Sequence, residues 1–108
     1  MNLDLRNSDA DSSQRMLNAI EPGSVVPIHR HQKTSETVVV LRGRVVEEYY
    51  SSGGAVEATF ELAYGGPVSA LNIPIGQWHT LRALDPGTVI LEMKDGPYEP
   101  IQECDVLK

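Results

Sequence analysis

The stretch that decides the fold of this chain runs from Gly23 to Gly43 and reads GSVVPIHRHQKTSETVVVLRG. His29 and His31 are separated by one residue, and a carboxylate follows at Glu36. Because side chains alternate between the two faces of a strand, an extended backbone here places both imidazoles on one face. The apolar, β-branched run that Glu36 opens is typical of a strand covered on both sides. The stretch therefore predicts strands that carry two imidazoles and a carboxylate.

The remaining histidine, His79, ends a second informative stretch, PIGQWH at 74–79. Its proline and glycine predict a tight turn that ends one strand and presents His79 at the start of the next. Three neutral imidazoles and one carboxylate suit Zn, Fe, Mn, Ni, Co or Cu, and suit Mg or Ca poorly. The three histidines and Glu36 are therefore a candidate set of metal ligands.

The rest of the chain shows repeated turn signals. The segments EPGS at 21–24 and DPGT at 85–88 place proline and glycine at the two central positions of a turn, and SSGG at 51–54 is a third signal. Such breaks recur at intervals of about 8–12 residues, which is typical of an all-β sandwich or barrel. The sequence therefore predicts an all-β fold.

Between these turns, apolar and polar residues alternate as in strands with one buried face. The clearest sets are Val56, Ala58, Phe60 and Leu62, and then Leu71, Ile73 and Ile75. Two runs are apolar on both faces and need cover on both sides, namely Val38–Leu41 and Val89–Leu91. We interpret Gln14–Ile20 as the first strand.

Length and composition limit the architecture and the partners. For 108 residues we expect a single domain over 1–108, with a flexible or irregular segment at 1–13 and an irregular C-terminal tail at 98–108 over the barrel. The net charge of −6 disfavours nucleic acid and anionic membranes as partners. No secretory signal pattern is present, and a single cysteine, Cys104, fits a reducing compartment. We therefore expect a cytoplasmic protein.

The two histidine stretches together resemble the motifs of the cupin superfamily. Gly23, His29, His31, Glu36 and Gly43 match every fixed position of the first motif. In the second motif Pro74, Gly76 and His79 match, whereas Val68 and Ala83 stand where the pattern has glycine and asparagine. The missing asparagine is not a ligand in the pattern. The resemblance implies that His29, His31, Glu36 and His79 bind one divalent transition metal ion: Fe, Zn, Mn or Ni.

Within the superfamily, the chain is similar to the WbuC-type cupin-fold metalloproteins over roughly residues 14–103. The likeness lies in QRMLNA at 14–19, SET at 35–37, LRGR at 41–44, GQWHT at 76–80 and KDGPY at 94–98. It implies a double-stranded β-helix, the cupin jelly-roll barrel, with the metal inside the barrel mouth. These small bacterial proteins are often associated with surface-polysaccharide loci.

A metal with four protein ligands keeps positions for water, dioxygen or a substrate oxygen. The leading hypothesis is a metal-dependent enzyme, an isomerase or epimerase or an oxygenase, acting on a small oxygen-rich molecule such as a sugar derivative of bacterial surface-polysaccharide metabolism. The alternatives are a non-enzymatic module that binds a carbohydrate-like ligand through the metal, and a barrel that metal only stabilises. No general base beyond the ligands stands out in the sequence.

The doubly apolar strands also predict a homodimer. A barrel this small has one interior, so outward apolar residues need a second cover. Pairing of the strand Gln14–Ile20 with a second subunit would provide that cover and protect an open edge. The expected partners are therefore a second copy of the chain and a small-molecule ligand.

Overall fold

The computed structural model describes residues 1–108 and is built almost entirely from antiparallel strands. The eight strands are β1 Asn2–Asp4, β2 Gln14–Ile20, β3 Glu36–Arg42, β4 Arg44–Tyr50, β5 Val56–Ala63, β6 Ala70–Ile73, β7 Trp78–Ala83 and β8 Thr88–Lys94. A short 3₁₀ helix, Glu103–Asp105, follows near the end of the chain. No helix is long and apolar enough to cross a membrane.

The strands form two sheets, a five-stranded one in the order β1-β2-β8-β3-β6 and a three-stranded one in the order β5-β4-β7. The β3–β4 turn crosses from the first sheet to the second at Gly43, which has a φ of +80°. A Cβ at Gly43 would lie 3.2 Å from the Cα of Thr88, so only glycine fits this turn. The predicted jelly-roll arrangement of antiparallel strands is confirmed.

The core lies between the two sheets and contains nine buried apolar residues. They are Ile20, Val38, Val40, Val45, Leu62, Ile73, Leu81, Ala83 and Ile90. Alternation along the strands explains this set, since Val38 and Val40 of β3 are buried whereas Leu41 is 42% exposed. Alternation thus predicted the buried faces of β5 at Leu62 and of β6 at Ile73, although Val56 at the start of β5 is 55% exposed.

Three sequence-based expectations need correction or refinement. The strand Gln14–Ile20 has the predicted bounds but is not the first, because β1 pairs with it through Leu3 and Leu17. The segment 1–13 is therefore not wholly irregular. Ile75 does not continue the buried face of Leu71 and Ile73, because β6 ends at Ile73, before Pro74, and Ile75 is 58% exposed.

The C-terminal segment, residues 98–108, lies against the segment that carries two of the histidines. Its backbone accepts a hydrogen bond from Arg30 N at Asp105 O (3.0 Å) and donates one from Leu107 N to Ile28 O (2.8 Å). Apart from the 3₁₀ helix it is irregular, as the sequence predicts. It therefore forms one wall beside the candidate ligands.

Candidate metal centre

The segment that carries His29 and His31 is extended but is not a regular strand. His29 forms isolated bridges on both sides, one to Val106 and one to His79 at the start of β7, with which its backbone exchanges hydrogen bonds of 3.0 and 2.8 Å. The alternation of side chains still holds, since both imidazoles lie on one side and the Arg30 guanidinium stacks on Trp78 at 4.5 Å. In place of the predicted strand, the structure has an extended segment that is hydrogen-bonded to β7.

The three imidazoles converge on one point. One ring nitrogen from each of His29, His31 and His79 lies within 4.8 Å of the other two. The ring centroids are separated by 4.3 Å for His29 and His79, 5.1 Å for His29 and His31, and 5.5 Å for His31 and His79. Residues fifty positions apart in the chain are therefore brought together as a triad.

Hydrogen bonds to the backbone fix which ring nitrogen is free. Nδ1 of His29 lies 2.8 Å from the Pro27 carbonyl oxygen, and Nδ1 of His79 lies 2.8 Å from the Gln77 carbonyl oxygen. A carbonyl only accepts, so each Nδ1 carries the proton and each Nε2 keeps its lone pair. Metal-binding histidines are oriented by the same kind of outer contact.

The third imidazole has an orphaned nitrogen. Nε2 of His31 is buried and has no hydrogen-bond partner. It lies 3.0 Å from Oε2 of Glu36, close enough for an ion pair but not in the geometry of a hydrogen bond. A buried polar atom without a hydrogen-bond partner costs free energy unless a bound ligand supplies the missing partner. Two ligand atoms that each lie about 2.1 Å from the same ion, at adjacent corners of an octahedron, are about 3.0 Å apart. The distance between His31 Nε2 and Glu36 Oε2 therefore fits two atoms that bind one metal ion.

Glu36 opens β3 and faces the barrel interior. It is 3% exposed and lies 3.0 Å from His31, but the ligand atoms that are all within 4.8 Å of one another are those of the three histidines. Burial alone would raise the pKa of Glu36, but His31, Lys94 and His79 together hold it below its usual value. Lys94 contributes from the neighbouring strand, with Nζ 3.9 Å from Oε2 of Glu36. The carboxyl is thus kept ionised, as a metal ligand requires.

Burial keeps two of the imidazoles neutral. It lowers the pKa of His79 to about 4 and also lowers the pKa of His29, because removal from water disfavours the charged ring. A neutral imidazole is the form that binds a metal. The arrangement therefore offers three imidazole nitrogens and one carboxylate, the donor set that borderline divalent ions prefer.

Two further acidic residues face the same interior, and the sequence analysis missed both. Glu47 of β4 is fully buried, and neither of its oxygens has a hydrogen-bond partner. Burial, reinforced by Glu36 and Glu92, raises the pKa of Glu47 to about 9. Burial also raises the pKa of Glu92 on β8, although Asn18 donates a 3.3 Å hydrogen bond to it.

The strand pattern contained a signal for both. Glu47 lies at the same parity as the buried Val45, and Glu92 at the same parity as the buried Ile90. A charged residue at an interior position of an alternating strand needs a functional explanation. Glu47 lies two residues further along β4 from the pair of Tyr49 and His79, and Glu92 lies two residues further along β8 from the pair of Lys94 and Glu36.

The weaker candidates of the sequence lie around the site. Trp78 faces away from the triad and packs on Arg30, as its alternation with His79 predicts. Tyr49 packs inward, edge-on to Phe60 with ring centroids 5.0 Å apart. Cys104 is exposed on the C-terminal segment and is not part of the triad.

A cavity of about 250 Å³ opens beside the triad. It touches His31 and Lys94 on the barrel side, and its outer wall is the C-terminal segment from Pro97 to Asp105. Only one of its 13 lining residues, Ile101, is hydrophobic. The cavity therefore suits a small polar molecule placed next to the candidate metal ligands.

Fold and site together define a cupin-type barrel. Among solved structures, the chain is similar to CapF bound to the inhibitor 3-isopropenyl-tropolone (TM-score 0.74, 18% identity, 92% of this chain and 28% of that one). It is also similar to oxalate oxidase in complex with glycolate (TM-score 0.73, 15% identity, 94% and 53%) and to KdgF from Halomonas sp. (TM-score 0.70, 16% identity, 91% and 80%). These identities show a shared fold.

More particularly, the chain belongs to the family described as Domain of unknown function (DUF6016), whose model matches residues 1–62. That span contains His29, His31 and Glu36 and ends before His79. No curated protein matches the chain. The chain spans about a quarter of the length of the CapF chain and about half that of the oxalate oxidase chain.

Proposed function

We propose that this protein binds one divalent transition metal ion through His29, His31, Glu36 and His79 and acts through it on a small oxygen-rich molecule. The observation that carries the proposal is the convergence of three imidazole nitrogens within 4.8 Å, with two Nδ1 atoms held by backbone carbonyls. A bound ion would polarise a carbonyl or hydroxyl oxygen, or activate water or dioxygen. We propose one cupin domain over residues 1–108 as the unit that does this.

The chain's own residues would position the ligand and manage charge. The cavity beside His31, walled on its outer side by the C-terminal segment, would hold a polar molecule. Glu47 and Glu92 are the ionisable groups beyond the ligands that an enzyme would use, since a raised carboxyl pKa favours the protonated form that a general acid needs. An isomerase or epimerase, or an oxygenase, is compatible with these groups.

The narrower assignment is that the protein is a WbuC-type cupin metalloprotein acting in the cytoplasm on a sugar derivative of bacterial surface-polysaccharide metabolism. The five sequence segments between residues 14 and 98 that resemble this group support it, and the polar lining of the cavity is compatible with a sugar. Activity toward nucleotide sugars or free sugar acids, assayed with the metal-loaded protein, would test this assignment.

The second candidate function is a binding module without turnover. It is favoured by the complete burial of Glu47, which does not line the cavity and so does not touch a ligand there. A binder would release the ligand unchanged, whereas an enzyme would alter it. Mass spectrometry of the ligand after incubation with metal-loaded protein separates the two.

We also propose a homodimer, formed through the outer face of the five-stranded sheet rather than by pairing of Gln14–Ile20 with a second subunit, because β1 and β8 already occupy both edges of that strand. Leu3, Leu17, Leu91 and Val39 are successive cross-strand partners on β1, β2, β8 and β3 and form one apolar row there. Light scattering should give about twice the chain mass of 11.8 kDa. Leu17→Lys should dissociate the dimer, whereas Val56→Lys, at an exposed position on the other sheet, should not. A monomeric wild type would contradict the proposal.

The metal site is tested by metal analysis of protein purified without an affinity tag. We expect one ion per chain in the wild type and a sharp loss in each of His29→Ala, His31→Ala and His79→Ala, because each variant removes one donor. Glu36→Gln should weaken binding less, since it keeps the shape but removes the charge. Wild-type metal content in all three histidine variants would overturn the site.

A further inference from the structure

The cations around the cavity differ in what neutralises them. Arg30 pairs with Asp105 at 3.0 Å, and Lys33 pairs with Glu99 at 3.0 Å, so both have partners on the C-terminal segment. The third cation in the lining is Lys94, whose side chain is 20% exposed. Its nearest carboxylate oxygen belongs to Glu36, at 3.9 Å.

In a second cavity, of about 230 Å³, Lys94 again differs from the other cations in its acidic partner. It shares Gln14 and Lys94 with the first cavity, and Glu92 lies in its wall. Its other cations also have acidic partners of their own, Arg6 with Asp4 at 2.7 Å and Arg15 with Asp11 at 3.0 Å. Lys94 is therefore the one cation of the two cavities whose neutralising partner is a candidate metal ligand.

Metal binding by Glu36 would change the charge that compensates Lys94. When Glu36 binds a divalent ion, its negative charge is shared with that ion and no longer compensates Lys94. A divalent ion and Lys94 together carry more positive charge than Glu36 and Glu92 supply even when both are ionised. Glu47 lines neither cavity, so it does not face Lys94 there. A buried or partly buried excess of charge calls for a counter-ion.

We propose that the site takes a small organic acid with one negative charge, whose carboxylate pairs with Lys94 while a neighbouring oxygen occupies the open position of the metal. This inference rests on the proposed function, since it places the ligand at that metal. The cavity volume of about 250 Å³ limits the ligand to about the size of a single sugar acid or a hydroxy acid. Charge-assisted hydrogen bonds to a lysine are stronger than neutral ones, so the acid is selected over its neutral analogue.

Calorimetry on zinc-loaded protein tests the proposal with two probes of nearly equal shape, lactate and lactamide. The wild type should bind lactate more tightly than lactamide. Lys94→Gln should weaken lactate binding about tenfold or more and leave lactamide binding unchanged, because only the charged ligand loses a partner. Lys33→Gln is the matched control, since Lys33 lines the same cavity but is paired with Glu99, and it should bind lactate as the wild type does.

The outcomes separate this inference from the metal site itself. Lys94→Arg keeps the charge and should restore most of the lactate affinity. Lys94→Gln should retain zinc, because removing a positive charge next to the ion does not weaken its binding. Loss of zinc in this variant would overturn the assigned role of Lys94. Zinc binding with equal lactate affinity in the wild type and Lys94→Gln would overturn this inference alone. Failure of the wild type to bind zinc would overturn both proposals.

Discussion

The two ends of the barrel interior are built from the same strands but differ in chemistry. Along β3 the inward residues run from Glu36 at one end to Val40 at the other, and along β8 they run from Lys94 back to Ile90. At one end ionisable side chains surround the histidine triad. At the other end Leu62, Val45 and Ala83 pack together, and the one buried polar side chain, Thr88, donates a hydrogen bond to the Asp85 carbonyl. Each strand therefore supplies both a part of the core and a part of the site.

The difference between the two ends shows that one end of a small barrel provides stability and the other provides the site. The apolar end gains free energy by removing hydrocarbon from water, whereas burial of the ionisable end costs free energy unless a ligand completes it. Truncation of the apolar core should therefore lower stability, whereas neutralising a buried carboxyl should remove a cost, and three variants can break or sharpen that contrast.

The largest effect is expected from Leu62→Ala at the apolar end. Leu62 is completely buried, so the truncation should lower the free energy of unfolding by about 2–5 kcal/mol. Val56→Ala lies on the same strand at a position that is 55% exposed, and should cost much less. Denaturant unfolding of metal-free protein measures both. Equal losses would show that the far end is not the stabilising core.

Glu47→Gln should reveal the cost of the ionisable end through its pH dependence. The pKa of Glu47 is raised to about 9, so above its ordinary value the folded carboxyl keeps a proton that the unfolded chain has lost. The wild type should therefore lose stability as pH rises from 7 to 9, by up to about 1.4 kcal/mol per pH unit, and Glu47→Gln should lack this loss. Denaturant unfolding of metal-free protein at pH 7, 8 and 9 measures both slopes.

Two controls belong with that measurement. Glu48→Gln alters the opposite face of the same strand, where the side chain is 20% exposed and lies 3.7 Å from Arg82, and it should keep the wild-type slope. The lowered pKa of His79 acts in the other direction, but between about 4 and 6.5, below the measured window. Parallel slopes in Glu47→Gln and the wild type would show that Glu47 is ionised in the folded protein.

Arg30→Gln should have the smallest effect on stability. Its ion pair with Asp105 is partly exposed, so its loss should cost about 0–1 kcal/mol. Amide exchange should nevertheless accelerate at Leu107, because Arg30 anchors the C-terminal segment. Arg44→Gln breaks a similar pair with Asp85 elsewhere on the barrel and should leave Leu107 unchanged. Equal exchange in both variants would show that the backbone alone holds the segment.

Much of this could be read from the sequence because it depends on local patterns. The strand Gln14–Ile20, the buried parity of Phe60 and Leu62, and the turn that presents His79 all follow from alternation and turn chemistry within a few residues. The motif spacing also marked the three histidines that the structure brings within 4.8 Å. Even the requirement for glycine at position 43 was visible as a motif position.

Only the tertiary structure decided which distant residues share the interior. The pairing of Lys94 with Glu36 depends on β8 lying beside β3, and the exposure of Glu47 to Glu36 and Glu92 depends on the two sheets facing each other. The short strand β1 exists only because β2 offers it an edge. Local periodicity determines the face on which a side chain lies, but the partner across that face is set by long-range packing, which nearest neighbours in the sequence do not encode.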